Sequence, residues 1–216
     1  MPVKSLLLGL ALSTAALAAS LSHATESTEI GWDDLLPKAE PYDDPFITMS
    51  EAQIEAMRAV VAFAEAETED PELARADASA RQFLAADGYD PDDLLVQYEV
   101  VLARLIEEAT AVNGEVVGKT VRMPGYVLPL EMKGRKAVEF LLVPYVGACI
   151  HTPPPSPNQV VHVVYPDGFE AEGLFAPVWI SGPLEAATAD LSVDYSDGQA
   201  DVRVSYRVNA RQVEAY

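Results

Sequence analysis

At Asn113-Gly114 the hydrophobic pattern changes its period, and that change limits the folds open to this chain. Upstream, apolar residues recur at helical spacing. Downstream, they alternate with polar residues, as in strands with one buried face. A helical part followed by a strand part excludes all-α, all-β and regularly alternating α/β folds.

Three helices are expected before the change. The first opens at Ser50 with Gln53 three residues on, a capping-box pattern. Ile54, Met57, Val60, Val61 and Ala64 form its apolar stripe. The second has Asp70 as N-cap and Pro71 at its first position, and it fades before Asp87-Gly88. The third repeats the opening with Asp90-Pro91. Leu94, Leu95, Tyr98, Val101, Leu102, Leu105 and Ile106 mark its expected buried face.

Five strands are expected after it: Lys119 to Glu131, Lys136 to Val146, Gln159 to Pro166, Ala176 to Ala186 and Ala200 to Ala215. Lys133-Gly134, Asp167-Gly168 and Asp197-Gly198 supply turn residues, while Gly125 and Gly182 inside strands predict bulges or bends. Five short strands in about a hundred residues suggest a small OB-like barrel, although the helix usual between its third and fourth strands is missing. The expected class is α+β, with an N-terminal α-helical segment before a five-stranded OB-like β-barrel.

The chain divides by this reading into a signal peptide at 1–24, an irregular acidic segment at 25–48, an acidic helical region at 49–113 and the barrel at 114–216. Lys4 and the apolar run Leu6 to Ala19 read as an export signal too short to span a bilayer. Ser22-His23-Ala24 fits a cleavage site, and Ala16-Leu17-Ala18 is an alternative. An exported, periplasmic protein follows, with no stable membrane insertion after cleavage. In the irregular segment Trp32, Leu35, Leu36 and Phe46 are apolar hooks expected to lie across another surface.

Net charge is −20, and the load is uneven. From Glu26 to Glu108 there are 22 acids and five bases, against 12 and eight from Thr110 to Tyr216. Such a surface repels nucleic acid and anionic lipid and favours cations or basic partners; solubility alone also accounts for it. The composition of Asp87 to Asp93 is that of a calcium loop, but the ligand spacing of one is absent and helix capping accounts for these acids.

The segment Val143 to Gln159 holds the one cysteine, one of the three histidines and five prolines. If the second strand runs through Thr152 and the third begins at Gln159, then Cys149 lies opposite His162 and His151 opposite Val160. Paired residues share a face, so Cys149, His151 and His162 would converge. A thiolate with two imidazoles suits zinc or copper. A buried cysteine beside unrelated histidines is the structural alternative, and a thiol enzyme using Cys149 with a histidine base is a further one. Thr152, Pro153, Pro154, Pro155, Pro157, Asn158 and Gln159 form the stiff loop. It either presents a surface to a partner protein or caps the barrel rim.

The strings FLLVPYVGACIHTPPPSPNQVVHV, GYVLPLE and GWDDLLP together resemble a bacterial exported family, domain of unknown function 3299. The resemblance covers Lys119 to about Val208, with GWDDLLP as an outlier. It implies an OB-like barrel, a periplasmic location and no established activity. It also implies an association with envelope ABC-type transporter components, some linked to zinc. The functional expectation is a non-enzymatic binding or accessory protein handling zinc or copper for such a transporter. The alternative is an interaction adaptor using the proline loop, with a structural cysteine.

Overall fold

The computed structural model describes residues 27–216 except 39, 68–69, 148–154, 171–172, 174 and 196–197. The expected signal peptide and most of the Cys149 loop lie outside the described residues. The class is mixed α+β, with three α-helices and one seven-stranded sheet among them.

Each helix begins where local chemistry starts it. In α1 (Glu51–Ala64) the Ser50 hydroxyl accepts from the Gln53 N–H, and the Gln53 side chain accepts from the Ser50 N–H. In α2 (Pro71–Ala86) and α3 (Pro91–Thr110), Asp70 and Asp90 cap the free N–H groups. Proline follows each cap, where its missing N–H costs nothing. Met57, Val60, Ala80, Leu84 and Leu94 form the core of this part, with Phe46 and Tyr98 packed against it. Arg81 on α2 joins Asp77 of its own helix at 2.8 Å to Asp92 of α3 at 2.6 Å.

The strands number seven rather than five. A two-residue β1 (Thr28–Glu29) precedes the helices and pairs in parallel with β2 (Thr120–Lys133), so the irregular segment contributes to the sheet. The others are β3 (Lys136–Val143), β4 (Val161–Glu170), β5 (Ala176–Tyr195), β6 (Gly198–Asn209) and β7 (Gln212–Ala215). The expected fifth strand is thus two, separated at Ala210 and Arg211, and β5 runs nine residues past its expected end. The order is β1-β2-β3-β4-β6-β5-β7, with β2 also paired to β5. The long strands therefore lead from β2 through β3, β4, β6 and β5 back to β2.

Asp167-Gly168 is not a turn between strands. It is a bulge inside β4, where Gly168 has φ +68° and the pairing jumps between Ala137↔Phe169 and Glu139↔Val164. Gly125 and Gly182 are not at bulges either. Their pairing with β5 and β2 is regular, and each marks a close approach. A Cβ on Gly182 would lie 2.6 Å from the Asn209 carbonyl oxygen, and one on Gly125 would lie 2.6 Å from Leu142 Cγ.

The sheet buries side chains on both faces. Val121, Met123, Val127, Phe140, Leu142, Val161, Val163, Ile180, Leu184, Tyr206 and Val208 belong to the larger cluster. Leu128, Leu141, Val143 and Val160 belong to the second, which the far ends of β5 and β6 complete with Val193, Val202 and Val204. Leu35 inserts fully into the larger cluster and Trp32 packs against it, and Phe46 packs on the helical core, so three of the four N-terminal hooks act as expected. Leu36 does not; it stays exposed. No helix among the described residues is long and apolar enough to cross a membrane.

Candidate functional site

The β3–β4 hairpin does not have the expected register. Leu141 opposes His162, Leu142 opposes Val161, and β3 stops at Val143. The alignment of Cys149 with His162, His151 with Val160 and Thr152 with Gln159 is therefore replaced by one displaced by eight residues. Part of the reason is local. Pro144 has no N–H to give to the ladder, and the chain turns at Pro144 to Gly147 instead of extending. Cys149, His151, Thr152, Pro153 and Pro154 lie outside the described residues.

His162 sits opposite Leu141, on the face away from Phe140 and Leu142. It is buried, and its Nε2 lies 2.7 Å from Glu139 Oε1. The carboxylate gives the buried Nε2 a hydrogen-bond partner. Among the described residues, no three His, Cys, Asp or Glu side chains gather as a metal site. The zinc-or-copper expectation loses the cross-strand relation on which it was built.

The end of the proline loop is spent inside the chain. Pro157 to Gln159 form a short 3-10 turn. Asn158, expected to face a partner, is fully buried, and its Nδ2 donates to the carbonyls of Glu108 at 2.7 Å and Ala111 at 3.0 Å. These are among the orphan carbonyls at the end of α3. Ser205 Oγ donates to a third, that of Thr110, at 2.8 Å. Gln159 Nε2 donates to the Trp32 carbonyl at 3.0 Å.

Tyr206 completes this junction. Its hydroxyl donates to the Leu35 carbonyl at 2.6 Å and accepts from the Asn113 N–H at 2.6 Å. Burial pushes its phenol above the ordinary tyrosine value, and the Asn113 N–H offsets part of that rise. Asn113 Nδ2 in turn donates to the Asp34 carbonyl at 2.8 Å. GWDDLLP, the end of α3 and the PNQ turn thus meet at one structural joint.

Among the described residues, α3 carries an apolar surface without a packing role. At 20 residues it outruns the 14-residue α1 by six, about 9 Å of helix. The N-terminal segment crosses one side of it. Tyr42 lies under the Arg104 guanidinium at 4.4 Å, Phe46 meets Tyr98 edge-on, and Arg104 also donates to the Glu40 carbonyl. A groove of about 400 Å³ remains between α1 and α3, with Phe46, Ile54, Met57, Val61, Tyr98 and Val101 among its lining.

One turn beyond Tyr98 and Val101 on the same helix stand Leu102 and Leu105, and then Ile106. They were expected to be buried, yet they are 40%, 50% and 57% exposed. Val96 and Val100, further round the helix, are 61% and 63% exposed. Leu102, Leu105 and Ile106 lie within one turn of one another and form an apolar patch, while Val96 and Val100 stand on another side of the helix. The sequence signal for this was the unequal length of the two apolar helices.

A model of a family described as protein of unknown function (DUF3299) matches residues 32–215 of the chain. A crystal structure of a DUF3299 family protein from Pseudomonas aeruginosa PAO1 is similar at 24% identity. That match covers 88% of this chain and 97% of the other, with a TM-score of 0.47. No curated protein matches.

Proposed function

The chain belongs to the DUF3299 family of proteins of unknown function, and we propose that this member is an exported interaction adaptor that docks a partner protein on α3. The uncovered apolar side chains Leu102, Leu105 and Ile106, continuous along the helix with the α1–α3 groove, carry this reading. A charged chain leaves such a patch in water at a cost in solubility unless something covers it.

The sheet serves as the mount. We read the returning circuit β2–β3–β4–β6–β5 as an OB-like barrel, supported by the β2–β5 pairing that removes the open edges of the central strands. The helical region at 49–113 is then a docking module fixed to that barrel at the Asn158 and Tyr206 junction. We read the apolar run Leu6 to Ala19 as an export signal, which would put the adaptor in the periplasm. An envelope ABC-type transporter component is the partner class that the family resemblance suggests.

The β3–β4 pairing sets Leu141 against His162, so the cross-strand relation of Cys149 with His162 that favoured zinc or copper is not made, and Glu139 holds the imidazole. Cys149 and His151, the other thiol–base pair, lie outside the described residues.

A photo-crosslinking amino acid placed at Leu102, and separately at Lys133 on the far hairpin, tests the adaptor in intact cells. A discrete protein adduct from position 102 and none from 133 is expected. Adducts from neither position would remove the adaptor reading.

A further inference from the structure

Resting on the adaptor reading, we infer that the partner element is a cationic amphipathic α-helix that lies along the α1–α3 groove and over the exposed end of α3. The shape argument comes first. Met57, Val61, Tyr98 and Val101 line the space between two helices, and Leu102 and Leu105 extend it by one turn. Such a cleft, with apolar residues at helical spacing, matches another helix presenting its own i, i+3, i+4 stripe.

Charge selects among helices. The stretch from Glu26 to Glu108 carries 22 acids against five bases, and all five bases are already engaged within the chain. Lys38 meets Glu115 at 2.9 Å, Arg58 meets Glu55 at 2.8 Å, and Arg75 donates to the Pro71 carbonyl at 3.0 Å. Arg81 is held by Asp77 and Asp92, and Arg104 pairs with Glu108 at 3.4 Å. Asp44 and Glu65 line the groove, and Glu99 and Glu107 stand exposed on α3 beside the apolar patch. Arg58 is the one base at the groove, and Glu55 neutralises it. An apolar floor with an uncompensated acidic rim complements a helix with a leucine-type face and lysines or arginines on its flanks. A second copy of this chain would bring the same acidic rim against itself, and an anionic membrane surface would be repelled.

The test uses the full chain and three labelled 18-residue peptides read by fluorescence anisotropy. One is a Leu/Lys amphipathic helix, one a Leu/Glu helix with the same apolar face, and one a shuffled Leu/Lys peptide without a face. The Leu/Lys helix is expected to bind at least about tenfold more tightly than either of the others. Its affinity should fall about tenfold or more in the Leu102→Ser/Leu105→Ser double variant, whose changes lie at exposed positions. Equal binding of the Leu/Glu helix would overturn the charge assignment. Equal binding of the shuffled peptide, or no loss in the double variant, would reduce the effect to bulk attraction and overturn the site. Absence of binding overturns the proposal as well. So does a dimer, seen by sedimentation, that the double variant dissolves. In each case the adduct from position 102 decides separately whether the adaptor reading survives.

Discussion

The sheet and the helices bury apolar surface by different means. Every long strand of the circuit has a neighbour on each side, and apolar clusters fill both faces. Among the described residues the strands leave only Met132 as an exposed large apolar side chain. The three helices leave Phe63, Phe83, Val96, Val100, Leu102, Leu105 and Ile106. A sheet that returns on itself is a finished packing unit, whereas three helices of unequal length are not. The difference marks where this molecule is self-sufficient and where, on our proposal, a partner completes it.

Independent probes can break or sharpen that contrast. Trp32 and Trp179, the only tryptophans, both belong to the sheet side, so fluorescence follows the sheet while ellipticity at 222 nm follows the helices. Phe140→Ala empties a fully buried site in the larger cluster and is expected to cost about 3–5 kcal/mol, with both probes moving together. Leu84→Ala, in the smaller helical core, is expected to cost about 2–4 kcal/mol and to move the ellipticity transition more than the fluorescence transition. Coincident transitions in that variant would mean the two regions unfold as one.

Tyr206→Phe strands the Leu35 carbonyl and the Asn113 N–H at the joint and is expected to cost about 2–3 kcal/mol in denaturant titration. It also carries a pH signature. The folded phenol titrates above its unfolded value, so its contribution is complete below about pH 10. It is then lost as pH rises through the folded value. The variant should therefore lose less stability than the parent protein in alkaline titration. Ser50→Ala removes half of a capping box and is expected to cost about 1 kcal/mol, seen in ellipticity alone. Smallest is Leu105→Ser, expected within about 0.5 kcal/mol of the parent protein because that side chain is half in water.

Legibility followed range along the chain. Ser50 with Gln53, Asp70-Pro71 and Asp90-Pro91 announced the helix starts because a cap is satisfied within three residues. Alternation announced β2, whose burial alternates along most of its length. β5 beyond Ala186 was hidden because the pairing with β6 shifts between Ala186 and Ala189, which breaks the phase of the pattern. Asp167-Gly168 has turn composition but serves a bulge, and β1 is too short to have a period. The hairpin register depended on where β3 ends, which a distant partner strand and Pro144 decide together. At the candidate site, an apolar stripe on α3 was visible, but periodicity cannot tell a face that meets its own core from one that meets another molecule.

The bond from Tyr206 to Leu35 spans 171 residues. Because ribosomes deliver the amino end first, the GWDDLLP hook can meet Asn113 and Gln159 before its last partner, Tyr206, exists. Any fragment cut short before that tyrosine leaves the Leu35 carbonyl and the Asn113 N–H without the hydroxyl that joins them. Full anchorage of the amino-terminal hook therefore waits on synthesis of the sixth strand.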